Sequence, residues 1–572
     1  MTARAAVIAT EVQLRPPAEV MRLDRMGASF QTRISFTRRL IRRMHRERWR
    51  IERTRFDLDD KGYGTALYVV TTPECCYSLV CFSHYLEPEQ RTDRVIAEAW
   101  DATFSLFDGV PTDADIDRLA EQTPKQEAGR FQASELVMGR ANKSLRLFGS
   151  VVDSLAQGNQ PDVNAINAIG YLMRSTAVYA NGKFGMADRT RYADRPALAP
   201  PYQAEMLTVY LIRGFTFDLV EHLASRRNPD RAVALDRRLK RHLGIGNATG
   251  LGMAPFLVSH PVLIHNWFHA RETALAKIRS LEVATSDRQA RFRTLLAQTE
   301  RHVAEWRVGD ERQTARIAAL REDLRLLTKW TAEGSEIFHT LAPWDALYRR
   351  AQGAVSIEGQ ELLVSLLFEP YPELIDELGE ALQVDHEEVF DPSMTVAEMC
   401  AIVENHYGWA LAVNFADPQE SQYFWYYSEE KIEPRRGARR GEPGVEKEMK
   451  IAVARDVHAF RVALGETQDD ETMTAFLMRH AEFRHVARRV QIGAHYAYAE
   501  IQGNVISESC SPIDILRAKL AFFGASKFDP KSDLWTRITM YQGAPLDDEL
   551  DAGDADDWCF PVKPVIETCT SP

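Results

Sequence analysis

Apolar residues recur every three to four positions along most of the chain, a period typical of α-helices that bury one face. The pattern is clearest at residues 134–158, 162–182, 204–224 and 262–281. We therefore predict helices in these stretches, within a mainly helical tract from about residue 115 to residue 380.

Residues 286–333 predict an antiparallel helical hairpin that breaks at 308–311. Its second half carries apolar residues at heptad-like spacing, which predicts a buried stripe in a core or an oligomer seam. The stripe consists of Ile317, Leu320, Leu324 and Leu327.

Residues 53–108 have a different pattern, in which short runs rich in Val, Tyr, Phe and Thr are separated by Gly, Asp and Pro. This pattern is typical of β-strands and turns. We predict an antiparallel sheet of three to five strands here. Thr112 is the predicted N-cap of the helix that follows.

The pattern as a whole predicts an α+β, predominantly helical protein, with a small antiparallel β-sheet near the N-terminus and a large multi-helix body after it. Three segments are expected. Residues 1–115 hold a basic helix and the sheet, residues 116–382 form a helical domain that includes the hairpin, and residues 383–572 form a mainly helical region with an acidic tail.

Charge is distributed unevenly along a chain of 572 residues with a net charge of −12. Residues 33–55 hold ten arginines against two glutamates, and residues 547–557 hold seven acids. The acidic balance makes nucleic acid an unlikely partner. We interpret the basic helix as a face paired with acidic segments, the alternative being an anion or RNA contact. The acidic tail is expected to be solvated or paired with a basic surface.

Seven cysteines are scattered along the chain, which is typical of reduced thiols in a cytosol rather than of a disulfide framework. No secretory signal is recognisable at the N-terminus, and no run of 18 apolar residues would span a membrane. These patterns predict a cytoplasmic protein with no membrane association.

A glycine-rich stretch at residues 244–252 is the first candidate binding element. If a helix begins near Thr249 or Gly250, its free N–H groups could hold a phosphate or carboxylate, with Asn247 beside them. The spacing matches neither a dinucleotide fingerprint nor a P-loop. The alternative is a helix entry packed tightly against a neighbour.

His265, His269 and Glu272 are spaced to lie on one face of a helix. They are candidate ligands of a divalent metal, the one cofactor that this sequence suggests, and the histidines could instead act in catalysis as a proton relay. The more common alternative is that such histidines are satisfied inside a helical core.

Residues 175–191 end an apolar helix with a glycine-containing turn. Here Tyr179 is a candidate acid, and Asn181, Lys183 and Arg191 are candidate contacts for an anionic substrate. The alternative is a helix end whose cations complement the helix dipole.

Residues 423–437 join aromatic residues to a dense run of charges. Glu430 is a candidate catalytic carboxylate and Arg435 a candidate substrate contact, because aromatic walls beside charged pairs often bind polar molecules. A solvated turn explains the same residues equally well.

Cys510 precedes a predicted helix start at Ser511 and Pro512, where the helix dipole could make the thiol nucleophilic. A small buried cysteine is the more common alternative.

Polar and ionisable residues thus occur repeatedly in apolar helical stretches, where an unpaired polar group would cost about 1–3 kcal/mol. We therefore expect an enzyme that acts on a small anionic or polar metabolite by proton transfer, as a lyase, isomerase or hydrolase, in a pocket between helices. A homo-oligomer is expected. The alternative is a non-catalytic helical scaffold or regulatory subunit.

Overall fold

The computed structural model describes residues 13–22, 24–27, 31–90, 99–125, 132–175, 194–250, 261–307, 311–380, 382, 390–416, 424–427, 434–437, 453–502, 517, 520–530, 535–552, 555, 557–559, 561, 563 and 564. The chain divides into two units, each discontinuous in sequence. The sheet unit comprises Phe30–Thr249, Phe522–Asp529 and Arg537–Pro572, and the helical unit comprises Met1–Ser29, Gly250–Ala521 and Pro530–Thr536. The three consecutive segments expected from the sequence remain a prediction.

The sheet unit is built around a sheet with nine strands in the described part of the chain, in the order β1-β2-β3-β4-β5-β6-β7-β11-β10. Neighbours from β1 to β6 are antiparallel, and β6 and β7 are parallel. The strands are β1 (Arg50–Leu58), β2 (Gly64–Thr71), β3 (Cys76–Ser83), β4 (Ala102–Asp108), β5 (Glu135–Lys143), β6 (Tyr171–Ser175), β7 (Gly244–Gly250), β10 (Ala525–Pro530) and β11 (Trp535–Met540).

The α+β class is confirmed, but the expectation of a small sheet is wrong. The four strands from β1 to β4 lie where the sequence pattern predicts strands, whereas β5 and β6 lie in stretches predicted to be helical. A stretch of five to nine buried residues suits a strand as well as a helix, so periodicity alone does not distinguish the two.

Residues 244–250 of the glycine-rich stretch form strand β7, and residues 251 and 252 lie outside the described residues. Its glycines are required by the neighbouring strands, because a Cβ at Gly246 would lie 2.6 Å from Cγ of Arg174 and a Cβ at Gly244 would lie 2.7 Å from Cγ2 of Thr539. Close packing therefore accounts for the glycines at these two positions, and the anion-binding role of the stretch remains a prediction.

Six helices accompany the sheet in the described part of this unit. They are α2 (Phe36–Arg46), α3 (Asp113–Gln122), α4 (Phe148–Ala156), α5 (Val163–Ile169), α6 (Gln203–Arg227) and α7 (Arg237–His242). Thr112 caps α3 as predicted, in a reciprocal capping box with Asp115. The basic helix α2 buries its apolar face, and its Arg43 bonds to Glu47 at 2.8 Å and to the Pro196 carbonyl at 2.9 Å. These contacts pair Arg43 alone, so the interpretation that the whole basic face is paired with acidic segments remains a prediction.

The helical unit is described by its own elements. The helices are α1 (Pro17–Val20), α8 (Pro261–Arg279), α9 (Ser286–Ala304), α10 (Glu311–Trp330), α11 (Pro343–Gln352), α12 (Ile357–Phe368), α13 (Pro372–Glu380), α14 (Val396–His406), α15 (Gly408–Leu411), α16 (Val453–Gly465), α17 (Met473–Arg479) and α18 (Arg484–His495). Strands β8 (Phe424–Tyr427) and β9 (Pro434–Gly437) form an antiparallel pair.

Helices α9 and α10 are the predicted hairpin. Ile317, Leu320, Leu324 and Leu327 are all buried within this chain, so the heptad-like stripe belongs to a core. Among the residues that the structure describes, no helix combines the length and the apolar character needed to cross a membrane. The five described cysteines carry free thiols.

Candidate functional site

The sheet unit contains a half-open cleft of about 310 Å³ beside helix α6. Strands β1 and β2 supply one wall, and α7 and the 3₁₀ turn Asp547–Ala552 supply others. This volume lies at the lower end of the range for small-molecule sites, about 300–1,000 Å³. Aromatic, aliphatic and charged side chains all line it, which is the mixture that holds a small polar molecule in a fixed orientation.

Arg213 fixes the wall of the cleft opposite the sheet. Its guanidinium donates hydrogen bonds to the carbonyl oxygens of Leu243 at 2.7 Å, Arg241 at 2.9 Å and Pro545 at 3.1 Å. Burial lowers the pKa of Arg213 to about 10, which still leaves it charged at neutral pH. The carbonyl groups satisfy this charge and hold the segment before Asp547 against α6.

Asp218 of α6 connects the helix to the sheet inside the cleft. It accepts a hydrogen bond from the Tyr68 hydroxyl at 2.7 Å and pairs with Arg53 at 3.1 Å. Burial, and then the charge of Asp218, raise the pKa of Tyr68 well above its ordinary value. Tyr68 therefore stays protonated and serves as a hydrogen-bond donor.

The cations of α7 are matched by carboxylates around the cleft. Lys240 pairs with Glu221 at 2.7 Å, and Arg237 makes a two-pronged contact with Asp548 at 2.6 and 2.8 Å. Arg237 also reaches Glu549 at 3.2 Å. The acidic tail is therefore paired with a basic surface at Asp548 and Glu549, one of the two arrangements expected from the sequence.

Asp547 differs from the other carboxylates of the cleft. In the part of the chain that the structure describes, it forms no ion pair, whereas Asp218 and Asp548 each have an arginine partner. Asp547 is an exposed residue, yet the protein atoms around its carboxyl group exclude enough water to raise its pKa. The backbone N–H groups of Asp548 and Asp547 lower this pKa, whereas the charge of Asp548 raises it further, and the net shift is upward. A carboxyl group of this kind in a cleft is a candidate acid or base.

Asn247 is the candidate residue of the glycine-rich stretch that the structure describes most fully. The residue is only 3% exposed on strand β7, and its Oδ1 atom has no hydrogen-bond partner among the residues that the structure describes. Thr249 and Gly250 follow on the same strand, where only the backbone is described. The residues directly after them lie outside the described part of the chain, so the anion site expected at a helix start near these residues remains a prediction.

His265 and His269 do lie together on α8, as their spacing predicts. Their rings stack with centroids 5.5 Å apart, and the Tyr498 amide donates a 3.0 Å hydrogen bond to Nδ1 of His265. Burial, and then the proximity of His269, lower the pKa of His265 to about 4. At neutral pH His265 is therefore uncharged and carries its proton on Nε2, because Nδ1 accepts the amide hydrogen.

Glu272, one turn beyond, belongs to a buried ion cluster. It accepts two 2.7 Å hydrogen bonds from Arg15 and one of 3.1 Å from Arg271. Glu361 of α12 also binds Arg15, at 2.7 Å, and pairs with Arg271. Burial would raise the pKa of Glu361, but Arg15 and Arg271 hold it at about 2.

These arginines occupy the Glu272 carboxylate that was considered as a metal ligand. Within the described ranges, no group of three or more histidine, cysteine, aspartate or glutamate side chains is arranged to hold a metal ion.

The remaining candidates lie largely beyond the described residues. Tyr179, Asn181, Lys183, Arg191, Glu430 and Cys510 are outside them, and Arg435 is described only as backbone in β9. Their roles remain predictions. The structure thus places the histidines together on one helix of the helical unit and Asn247 in the sheet unit.

Sequence reasoning missed the cleft residues. Tyr68, Arg213, Asp218 and Asp547 come from three distant parts of the chain, and each part alone has an ordinary pattern. One signal was available, namely the consecutive Arg213 and Gly214 in the middle of the mostly apolar residues 206–217 of α6.

No family model, curated protein or solved structure matches this chain.

Proposed function

We propose that the protein is an enzyme that binds a small polar metabolite in the cleft of the sheet unit and moves a proton on it with Asp547. The observation that supports this most strongly is the contrast between the carboxylates of the cleft. Asp218 and Asp548 are neutralised by arginines, whereas Asp547 has no cationic partner among the described residues and a raised pKa.

A carboxylate that has no ion-pair partner among the described residues, beside a cleft, favours a ligand that brings its own hydrogen-bond donor, such as a hydroxyl or ammonium group. A carboxyl pKa above the ordinary value also brings the group closer to neutral pH, where proton transfer is most efficient. In this proposal Asp547 takes a proton from the substrate and returns it to the product, as in an isomerase or lyase.

The other cleft residues have supporting roles in the proposal. The Tyr68 hydroxyl and the Arg213 guanidinium are already committed to Asp218 and to backbone carbonyls. They hold α6, the sheet and the turn that carries Asp547 in a fixed geometry, which is what positions a catalytic group without later rearrangement.

A two-step experiment tests the proposal. First, a library of amines, amino acids, hydroxy acids and sugars is screened by thermal shift against the wild type, Asp547→Asn and Asp117→Asn. Asp117 is an exposed carboxylate on α3 outside the cleft, so it serves as the matched control. We expect compounds that stabilise the wild type and Asp117→Asn but stabilise Asp547→Asn less.

Second, each such compound is incubated with the protein in D₂O, and exchange of its carbon-bound hydrogens for deuterium is followed by NMR. We expect exchange with the wild type and a loss of about 10²–10⁴-fold in its rate with Asp547→Asn. Exchange at the wild-type rate in Asp547→Asn would refute the proposal. Binding without any exchange would favour the alternative, a non-catalytic regulatory subunit.

A further inference from the structure

Gly214 stands in the middle of the 25-residue helix α6, where glycine is the least favourable residue apart from proline. A glycine in a closely packed place is usually required because an added Cβ would clash with a neighbouring atom. At Gly493, for example, an added Cβ would lie 2.5 Å from the Tyr407 hydroxyl. At Gly214 nothing lies within 4 Å of the Cβ position, and the residue lines the cleft. Packing within the described chain therefore does not account for this glycine.

Two aromatic side chains flank this open position. Tyr210 lies four residues before Gly214 and Phe217 three residues after it, so all three share one face of α6, and all three line the cleft. The bare backbone at Gly214 thus lies on the cleft wall between two aromatic residues that are 5% and 6% exposed, and we call this position the slot.

Both flanking rings are held in place by other contacts. The Tyr210 hydroxyl donates a 3.0 Å hydrogen bond to the Pro545 carbonyl, and its ring packs edge-on against Tyr541 with centroids 5.3 Å apart. The Arg213 guanidinium lies 5.5 Å from the centre of the Phe217 ring. The slot is therefore preformed and does not need rearrangement to accept a ligand.

We infer that the ligand of the cleft carries a flat ring, which lies over Gly214 between Tyr210 and Phe217. This inference rests on the proposed function and specifies its substrate class. A flat ring can contact a helix backbone only where no Cβ projects, and neighbouring aromatic rings attract it at centroid distances of about 4.5–7 Å. The donor group of the same ligand would face Asp547.

Two simple amines test the ring directly. Benzylamine and cyclohexylmethylamine carry the same ammonium group on rings of similar size, but only the first ring is flat. Their binding is measured by ligand-observed NMR at millimolar concentration, with wild type, Gly214→Ala and Gly149→Ala. Gly149 is an exposed helical glycine of α4 that also has nothing within 4 Å of its Cβ position, so its replacement controls for helix propensity.

We expect benzylamine to bind the wild type about two- to tenfold more tightly than cyclohexylmethylamine, the range of an aromatic pair. Gly214→Ala should remove this preference while raising the melting temperature, and Gly149→Ala should leave the preference intact. Retention of the preference in Gly214→Ala, or equal binding of the two amines to the wild type, would overturn the inference.

Asp547→Asn separates this inference from the proposed function. Asp547→Asn could weaken the binding of both amines equally while the wild type binds them with equal affinity. This result would support a role for Asp547 in the cleft and refute the ring slot. If neither amine binds the wild type, the ring slot also fails, and the metabolite screen decides the proposed function by itself.

Discussion

Tyr68 of strand β2 donates a 2.7 Å hydrogen bond to Asp218 of helix α6, and this bond joins the sheet to the helix inside the cleft. Tyr68 is buried, and Asp218 is half-buried with Arg53 as its second partner. The bond therefore links the stability of the sheet unit to the geometry of the proposed site.

Replacing this tyrosine tests the strength of the link. We expect Tyr68→Phe to lower the free energy of unfolding by about 1.5–3 kcal/mol, the range for hydrogen bonds to charged groups. Tyr85→Phe is the matched control, because the Tyr85 hydroxyl also bonds to a carboxylate, Glu87 at 2.8 Å, but the residue is 59% exposed. Urea unfolding should show a change within about 0.5 kcal/mol for the control. Equal losses of unfolding free energy in Tyr68→Phe and Tyr85→Phe would contradict the claim that the Tyr68 hydrogen bond stabilises the sheet unit.

The buried cluster of the helical unit gives a second prediction. Arg15→Leu leaves Glu272 and Glu361 with fewer positive partners in a dry environment, and we expect a loss of about 3–5 kcal/mol in urea unfolding. Arg22→Leu is the control, since Arg22 pairs with Asp24 only at 3.4 Å and its side chain is 62% exposed. If Arg15→Leu lowers the free energy of unfolding by no more than Arg22→Leu does, the buried cluster does not hold the N-terminal segment.

His265 gives a prediction about pH. Its pKa is about 4 in the folded protein, below the ordinary value of about 6.5, so the unfolded chain binds its proton first as pH falls. The contribution of His265 to stability is therefore complete above pH 6.5 and is lost as pH falls toward 4. We expect the difference in unfolding free energy between wild type and His265→Gln to shrink over this range. Parallel pH curves for the two proteins would show that the imidazole is not desolvated as described.

Much of the fold could be predicted from the sequence where elements are long or well punctuated. The helical period of α6, α8, α9 and α10 identifies them, and Thr112 marks the start of α3 through its side-chain oxygen. The strands β5 and β6 are missed because runs of nine and five residues do not contain enough periods to distinguish strand from helix. Strand β7 is missed because glycine is rare in strands. Glycine is required there because a Cβ would clash with Arg174 and Thr539 of neighbouring strands, which the local sequence does not show.

The candidate site was less predictable than the fold. The spacing of His265 and His269 correctly predicts their contact, since both lie on one helix. The same spacing cannot reveal that Arg15, which precedes Glu272 by 257 residues, donates a hydrogen bond to the Glu272 carboxylate. The cleft depends in the same way on contacts distant in sequence, such as that between Tyr68 and Asp218. Residue patterns record local periodicity, whereas a pocket is formed by packing, so such residues emerge only from coordinates.

A crystal structure of the protein with the strongest compound from the metabolite screen tests the central claim most directly. The account predicts density for the compound in the cleft beside α6, with one of its donor atoms within hydrogen-bond distance of the Asp547 carboxylate. Electron density for the compound at another place, for example at Asn247 or beside His265, with no compound in the cleft, would contradict this account.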